Sequence, residues 1–198
     1  DNKDGEIVEA WREPSYSGFA KETKCNVLPV SSNNVPVTEH KRFSVKNVIT
    51  TPSGSSVLDF GQNIAGYVSF KLNAKKGQKI KLRFGEMFDE NGEFTQKNIQ
   101  CANKKRTKVT PLQQIEYHCT DGLNEYKTKF AIFGFQYVLI ETDVEWKKED
   151  FTAIAVYSDM EETLSFDSSN ELLNKLVDAT RWSAKNNHAD VPTDCPTR

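Results

Sequence analysis

At 198 residues, with 26 Lys and Arg against 28 Asp and Glu, the chain can hold one full domain plus pieces of others, and a net charge of −2 offers no basic surface to nucleic acid. Hydrophobic residues make up 37%, and no run among them is long and apolar enough to form a membrane helix. The four cysteines, Cys25, Cys101, Cys119 and Cys195, are scattered with no CxxC pair and no metal-ligand spacing, so neither a disulfide framework nor a metal centre is indicated.

A reducing compartment is the simpler reading of that cysteine pattern, although Cys101 and Cys119 flank one loop and could pair in an exported protein. The opening DNKDGEIVEAW lacks the apolar core of a signal peptide and leaves the compartment undetermined. Residues 1–40 are polar and irregular, with Trp11, Tyr16 and Phe19 set among Pro14, Ser15, Ser17 and Gly18, and read as a linker that makes no core of its own.

From residue 41 to 157 the pattern is repeatedly β. Strands are expected over 43–49, 56–60, 66–72, 79–85, 115–118, 125–131, 136–141 and 151–157, divided by turn clusters such as Pro52-Ser53-Gly54, Asn91-Gly92 and Asp121-Gly122. Many short strands without a helical period predict a mainly β fold, an antiparallel sandwich. In 79–85 the alternation is plain: Ile80, Leu82 and Phe84 point inward, Lys79, Lys81 and Arg83 outward. The stretch VLDFGQNIAGYVSFKL, 57–72, reads as strand, tight polar turn and strand, with Gly61 and Gly66 allowing unusual backbone or close approach. After Tyr157 the period changes. Ser168 and Glu171 are spaced as a capping box, and Leu172, Leu173, Leu176, Val177, Thr180 and Ala184 share one helical face, which predicts a C-terminal helix with an apolar stripe.

Five strings in one order carry a resemblance. They are DFGQNIAGY from Asp59, LRFGEMFDENGEF at 82–94, FAIFGFQYVLIE at 130–141, VYSDM at 156–160 and DVPTDCPTR at 190–198. Together they resemble the bacterial α-L-rhamnosidases of glycoside hydrolase family 78, with Gln136 where that family usually has Arg and Tyr157 where it often has His. The resemblance implies a concanavalin-like, jelly-roll β-sandwich at 41–160, preceded by a linker from an upstream β domain at 1–40. It also implies that 161–198 is the first helix and truncated start of an (α/α)6 barrel.

The chemistry implied is cofactor-free hydrolysis of terminal α-L-rhamnose with inversion. A carboxylic acid protonates the glycosidic oxygen and a carboxylate about 6.5 to 9.5 Å away activates water. The resemblance places the acid in an Asp-Glu pair just beyond Arg198 and the base far downstream, so no catalytic residue falls within the chain and the piece alone is expected to be inactive. Asp194 and Arg198 match positions that hydrogen-bond the rhamnose ring: a carboxylate accepts from vicinal hydroxyls, and a guanidinium donates to sugar oxygens or orients the neighbouring acid. Without the barrel, 191–198 is expected to be disordered or held by a neighbouring molecule, and the helix stripe to fold back on the sandwich or self-associate.

Several other features favour plain readings. Tyr67, Phe133, Phe135 and Tyr137 could form a sugar-stacking platform of an independent carbohydrate-binding module, but aromatics on a sandwich are more often core. Glu86, Asp89, Glu90 and Glu93 around Asn91-Gly92 read as an acidic hairpin tip rather than a cation site. The basic run Lys104, Lys105, Arg106 and Lys108 reads as a solvated loop. His40, His118 and His188 are isolated from any metal pattern, with His188 set to pair with Asp190, and no serine sits in a GxSxG elbow.

Overall fold

The structure is a computed structural model describing residues 6–9, 24, 26–31, 35–99 and 113–197. The basic run at 104–108, Cys25, Cys101 and Arg198 lie outside the described residues.

Its spine is β4 (Ser56–Ala74), a single continuous strand where strand, turn and strand are expected from the sequence. The chain does not reverse at Gly61. Instead Phe60, Gly61, Gln62 and Asn63 bulge out opposite Gln136 of β10 (Phe133–Thr142), with pairing intact at Tyr137↔Asp59 on one side and Phe135↔Ile64 on the other. Gly61 takes the left-handed backbone, φ +73°, and its amide donates to Asp59 Oδ1 at 2.8 Å. Polar turn residues therefore make a bulge, because both flanking segments find the same partner strand.

β4 serves two layers. Its first half lies between β3 (Asn47–Thr50) and β10, and the order continues outward through β5 (Lys79–Gly85), β8 (Gln114–His118) and β1 (Glu6–Glu9). Its second half lies between β9 (Gly122–Lys127) and β11 (Phe151–Ser158), with β2 (Val37–Ser44) beyond. All these pairings are antiparallel except β1 with β8, where Glu6–Glu9 of the expected linker joins the sheet edge. The expected mainly β, jelly-roll sandwich is what forms.

The core lies between the layers. Ile80, Leu82 and Phe84 of β5 are fully buried, as their alternation predicts. Phe84 stacks on Phe133 at 4.1 Å and meets Phe135 edge-on at 5.0 Å. Phe70 of the second layer meets Tyr117 of the first at 5.1 Å, which closes the sandwich. Gly66 sits where β4 and β11 approach most closely: a Cβ there would lie 1.9 Å from the Ile154 carbonyl oxygen. Cys119 is buried, and that burial pushes its thiol up to about 11.

The acidic tip is a hairpin, β6 (Met87–Phe88) with β7 (Phe94–Thr95). Asp89 Oδ1 accepts the amides of Asn91 and Glu93, and Glu93 accepts from the amide and hydroxyl of Ser53. Two further two-residue strands, β12 (His188–Ala189) and β13 (Val191–Pro192), follow α1 (Glu171–Asn186), the one α-helix among the described residues. The helix is capped by Asn170, whose Oδ1 accepts from Leu172 and Leu173, and not by Ser168. Asn174 folds its amide onto the backbone of Ser168 and so draws that serine away from the cap. None of the described helices is long and apolar enough to cross a membrane.

Candidate functional site

The bulge of β4 creates an opening. On the edge that pairs first with β3 and then with β11, residues 60–65 have no strand neighbour among the described residues. The last residue of α1 fills the gap. Asn186 accepts the Ala65 amide at 2.9 Å and donates its side-chain amide to the Asn63 carbonyl at 3.0 Å, standing in for a strand. Asn63 in turn donates to Glu86, which also accepts from Asn98. The bulge itself is held by buried Asp59, which accepts from Gly61, Asn47 and Gln136. Gln136 thus supplies a neutral donor to a carboxylate where the resemblance anticipates an arginine.

Trp182, one turn earlier, leans on Phe43 at 5.7 Å between the ammonium groups of Lys41 and Lys185. Lys185 also pairs with Glu162 and lowers its pKa through that hydrogen bond. Below it Tyr157 stacks flat on His40, centroids 3.7 Å apart, and burial raises its hydroxyl pKa. The helix therefore docks by its C-terminal half. The expected stripe does not fold back: Leu172 is 76% and Leu176 61% exposed, and no helix residue is fully buried.

Beyond the helix the chain makes a second tether. β12 and β13 form a tight hairpin whose turn residue, Asp190, has φ +73° and donates its amide to the buried hydroxyl of Ser158 at 2.9 Å. His188, just outside the helix, uses Nδ1 to donate to the Ala184 carbonyl. A third tether follows at Pro196 and Thr197, which lie over Gly134 so closely that a Cβ there would stand 2.6 Å from Thr197 Cγ2. Gln113 donates to the Thr197 carbonyl at 2.6 Å. The expected disorder of 191–198 is replaced, over its described part, by a segment laid along the sandwich. The reason lies in polar groups the sandwich presents to it.

The structure thus brings Asp194, exposed between the second and third tethers, to the same side of the sandwich as Asn63, Ser158 and Gly134. Sequence reasoning missed Asn186, Ser158 and Gln113. Only Ser158 lay in a quoted motif, and nothing marked its hydroxyl as an anchor. The proposed stacking residues scatter: Phe133 and Phe135 are buried, Tyr137 meets Phe88 edge-on at 4.8 Å, and Tyr67 donates its hydroxyl to Glu39 at 2.6 Å.

Two family models match. The bacterial alpha-L-rhamnosidase concanavalin-like domain covers residues 49–157, and the bacterial alpha-L-rhamnosidase 6 hairpin glycosidase domain covers residues 161–198. The chain belongs to the bacterial α-L-rhamnosidase family. An α-L-rhamnosidase of Formosa agariphila is 30% identical over 195 residues, which is 95% of this chain and 20% of that protein. The solved α-L-rhamnosidase of Dictyoglumus thermophilum superposes with a TM-score of 0.78 at 27% identity, covering 99% of this chain and 23% of that one. The Streptomyces avermitilis α-L-rhamnosidase, solved in complex with L-rhamnose, superposes at 0.75 with 26% identity over 85% of this chain and 16% of its own. The chain therefore spans about a fifth of the length of these rhamnosidases. Residues 49–157 correspond to the family's concanavalin-like domain and residues 161–198 to part of its glycosidase domain.

Proposed function

We propose that the protein containing this chain hydrolyses terminal α-L-rhamnose from glycosides with inversion and without a cofactor, and that this sandwich holds the entrance of its catalytic barrel. On this reading 1–40 links from an upstream β domain, 41–160 is the sandwich, and 161–198 opens an (α/α)6 barrel that packs on it. Asp194 and Arg198 contact the rhamnose ring; acid and base come from later residues, so the 198-residue chain alone is inactive. One observation carries the reading. The segment bearing Asp194 is tethered by Asn63, Ala65, Ser158 and Gly134, all of which sit in or beside the motifs that mark the family. Rhamnosidase relatives, one of them solved with L-rhamnose, support the substrate class.

The test is turnover of 4-nitrophenyl α-L-rhamnoside by the full-length protein, with the first sugar released followed by proton NMR. The β anomer is expected; the α anomer would remove inversion, and absence of turnover would remove the activity. For the 198-residue chain no turnover is expected, and titration with L-rhamnose should leave the amides of 57–141 unshifted. Saturable shifts there would make the sandwich a binding module in its own right.

A further inference from the structure

The third tether is more specific than a packing contact. Gln113 faces two backbones at once: its Nε2 donates to the Thr197 carbonyl at 2.6 Å, and its Oε1 accepts the Gly134 amide at 3.2 Å. Its own carbonyl accepts from Phe84 N and from Gln96 Nε2. Gln96 is 3% exposed, donates a second time to the Phe84 carbonyl, and has its Oε1 held by Arg83. A hydrogen-bonded chain therefore runs from Phe84, near the C-terminal end of β5, to the Thr197 peptide. Gly134 completes the seat from below, because only a residue without Cβ lets Pro196 and Thr197 lie this close.

We propose that Gln113 and Gly134 are positioning residues for the reaction: they fix the Thr197 peptide, and with it the point from which the chain enters the acid that the rhamnosidase reading sets beyond it. The inference rests on the rhamnosidase reading above. A catalytic acid loses its effect when displaced by a fraction of an ångström to one ångström, and a backbone fixed just before it is the means to prevent that. Gln113 touches no substrate. Its contribution is to fix where the next residues start.

The experiment uses the full-length protein and two substrates, 4-nitrophenyl α-L-rhamnoside, whose leaving group needs little protonation, and methyl α-L-rhamnoside, which depends on the acid. The variants are Gln113→Ala, Gln113→Glu, which keeps the shape but offers the Thr197 carbonyl no donor, and Gly134→Ala. Each should lower kcat/KM on the methyl glycoside about tenfold or more while costing the nitrophenyl glycoside markedly less, so that the ratio between substrates changes. A variant that merely folds less well loses active enzyme for both substrates alike. An unchanged ratio in Gln113→Glu, with wild type active, overturns the positioning role and leaves the rhamnosidase reading standing. Absence of wild-type turnover on both glycosides overturns both.

Discussion

A methyl group at position 66 would stand 1.9 Å from the Ile154 carbonyl oxygen, inside the pairing of β4 with β11, where neither backbone has room to yield. Gly66→Ala should therefore destabilise the sandwich by about 3 kcal/mol or more, read as a lowered midpoint in urea. Gly54→Ala, whose added atom would meet nothing within 4 Å, should cost only what its positive φ imposes. Glu39 gives a second prediction. Its carboxylate accepts from Lys127, Tyr67 and Arg42, and the hydrogen bond from Lys127, followed by that from Tyr67, holds its pKa below the ordinary 4.5. A group depressed by folding adds stability that is complete above its unfolded value and lost as pH falls through the folded one. Stability should thus decline below about pH 4.5, and Glu39→Gln should flatten that decline when urea midpoints are compared between pH 3 and 6. An equal slope in both proteins would show that the cluster contributes nothing to it.

At the scale of elements, the sequence made the strands legible and the joints obscure. Ile80, Leu82 and Phe84 alternate with charges, and alternation is a local property that a window can detect. The bulge of β4 is not local. Gly61, Gln62 and Asn63 have the chemistry of a turn, and only the finding that β10 pairs with both flanks makes them a bulge. The cap of α1 failed for a related reason: Ser168 and Glu171 have the right spacing, but Asn174 reaches back to the Ser168 backbone and Asn170 takes the capping position. Asn186, Ser158 and Gln113 were illegible because each is one ordinary polar residue whose partner lies far along the chain. The motifs themselves were legible as family marks, but their purpose, tethering the segment at 186–197, appeared only in three dimensions.

For the molecule as a whole, the sandwich carries its own core, while α1 is anchored at one end and bare at the other. Leu172, Leu173 and Leu176 are exposed, as are Leu164 and Phe166 in the approach to the helix. In the proposed enzyme this surface faces the rest of the barrel; in the 198-residue chain it meets water. The chain should therefore self-associate at high concentration, and the double substitution Leu172→Asp with Leu176→Asp should return it to monomer by light scattering. A wild-type chain that stays strictly monomeric would remove self-association from the account.

The sandwich alone seats the segment that carries Asp194. Amide hydrogen exchange on the 198-residue chain tests it most directly, because the amides of Ala65 and Asp190 are bonded to side chains across the joint, Asn186 Oδ1 and Ser158 Oγ. Both should exchange slowly in the wild-type chain, and Ala65 should lose its protection in Asn186→Ala while Phe84 and Val138 in the core keep theirs. Exchange of both amides at unstructured-chain rates in the wild type, with random-coil shifts over 187–197, would contradict the claim.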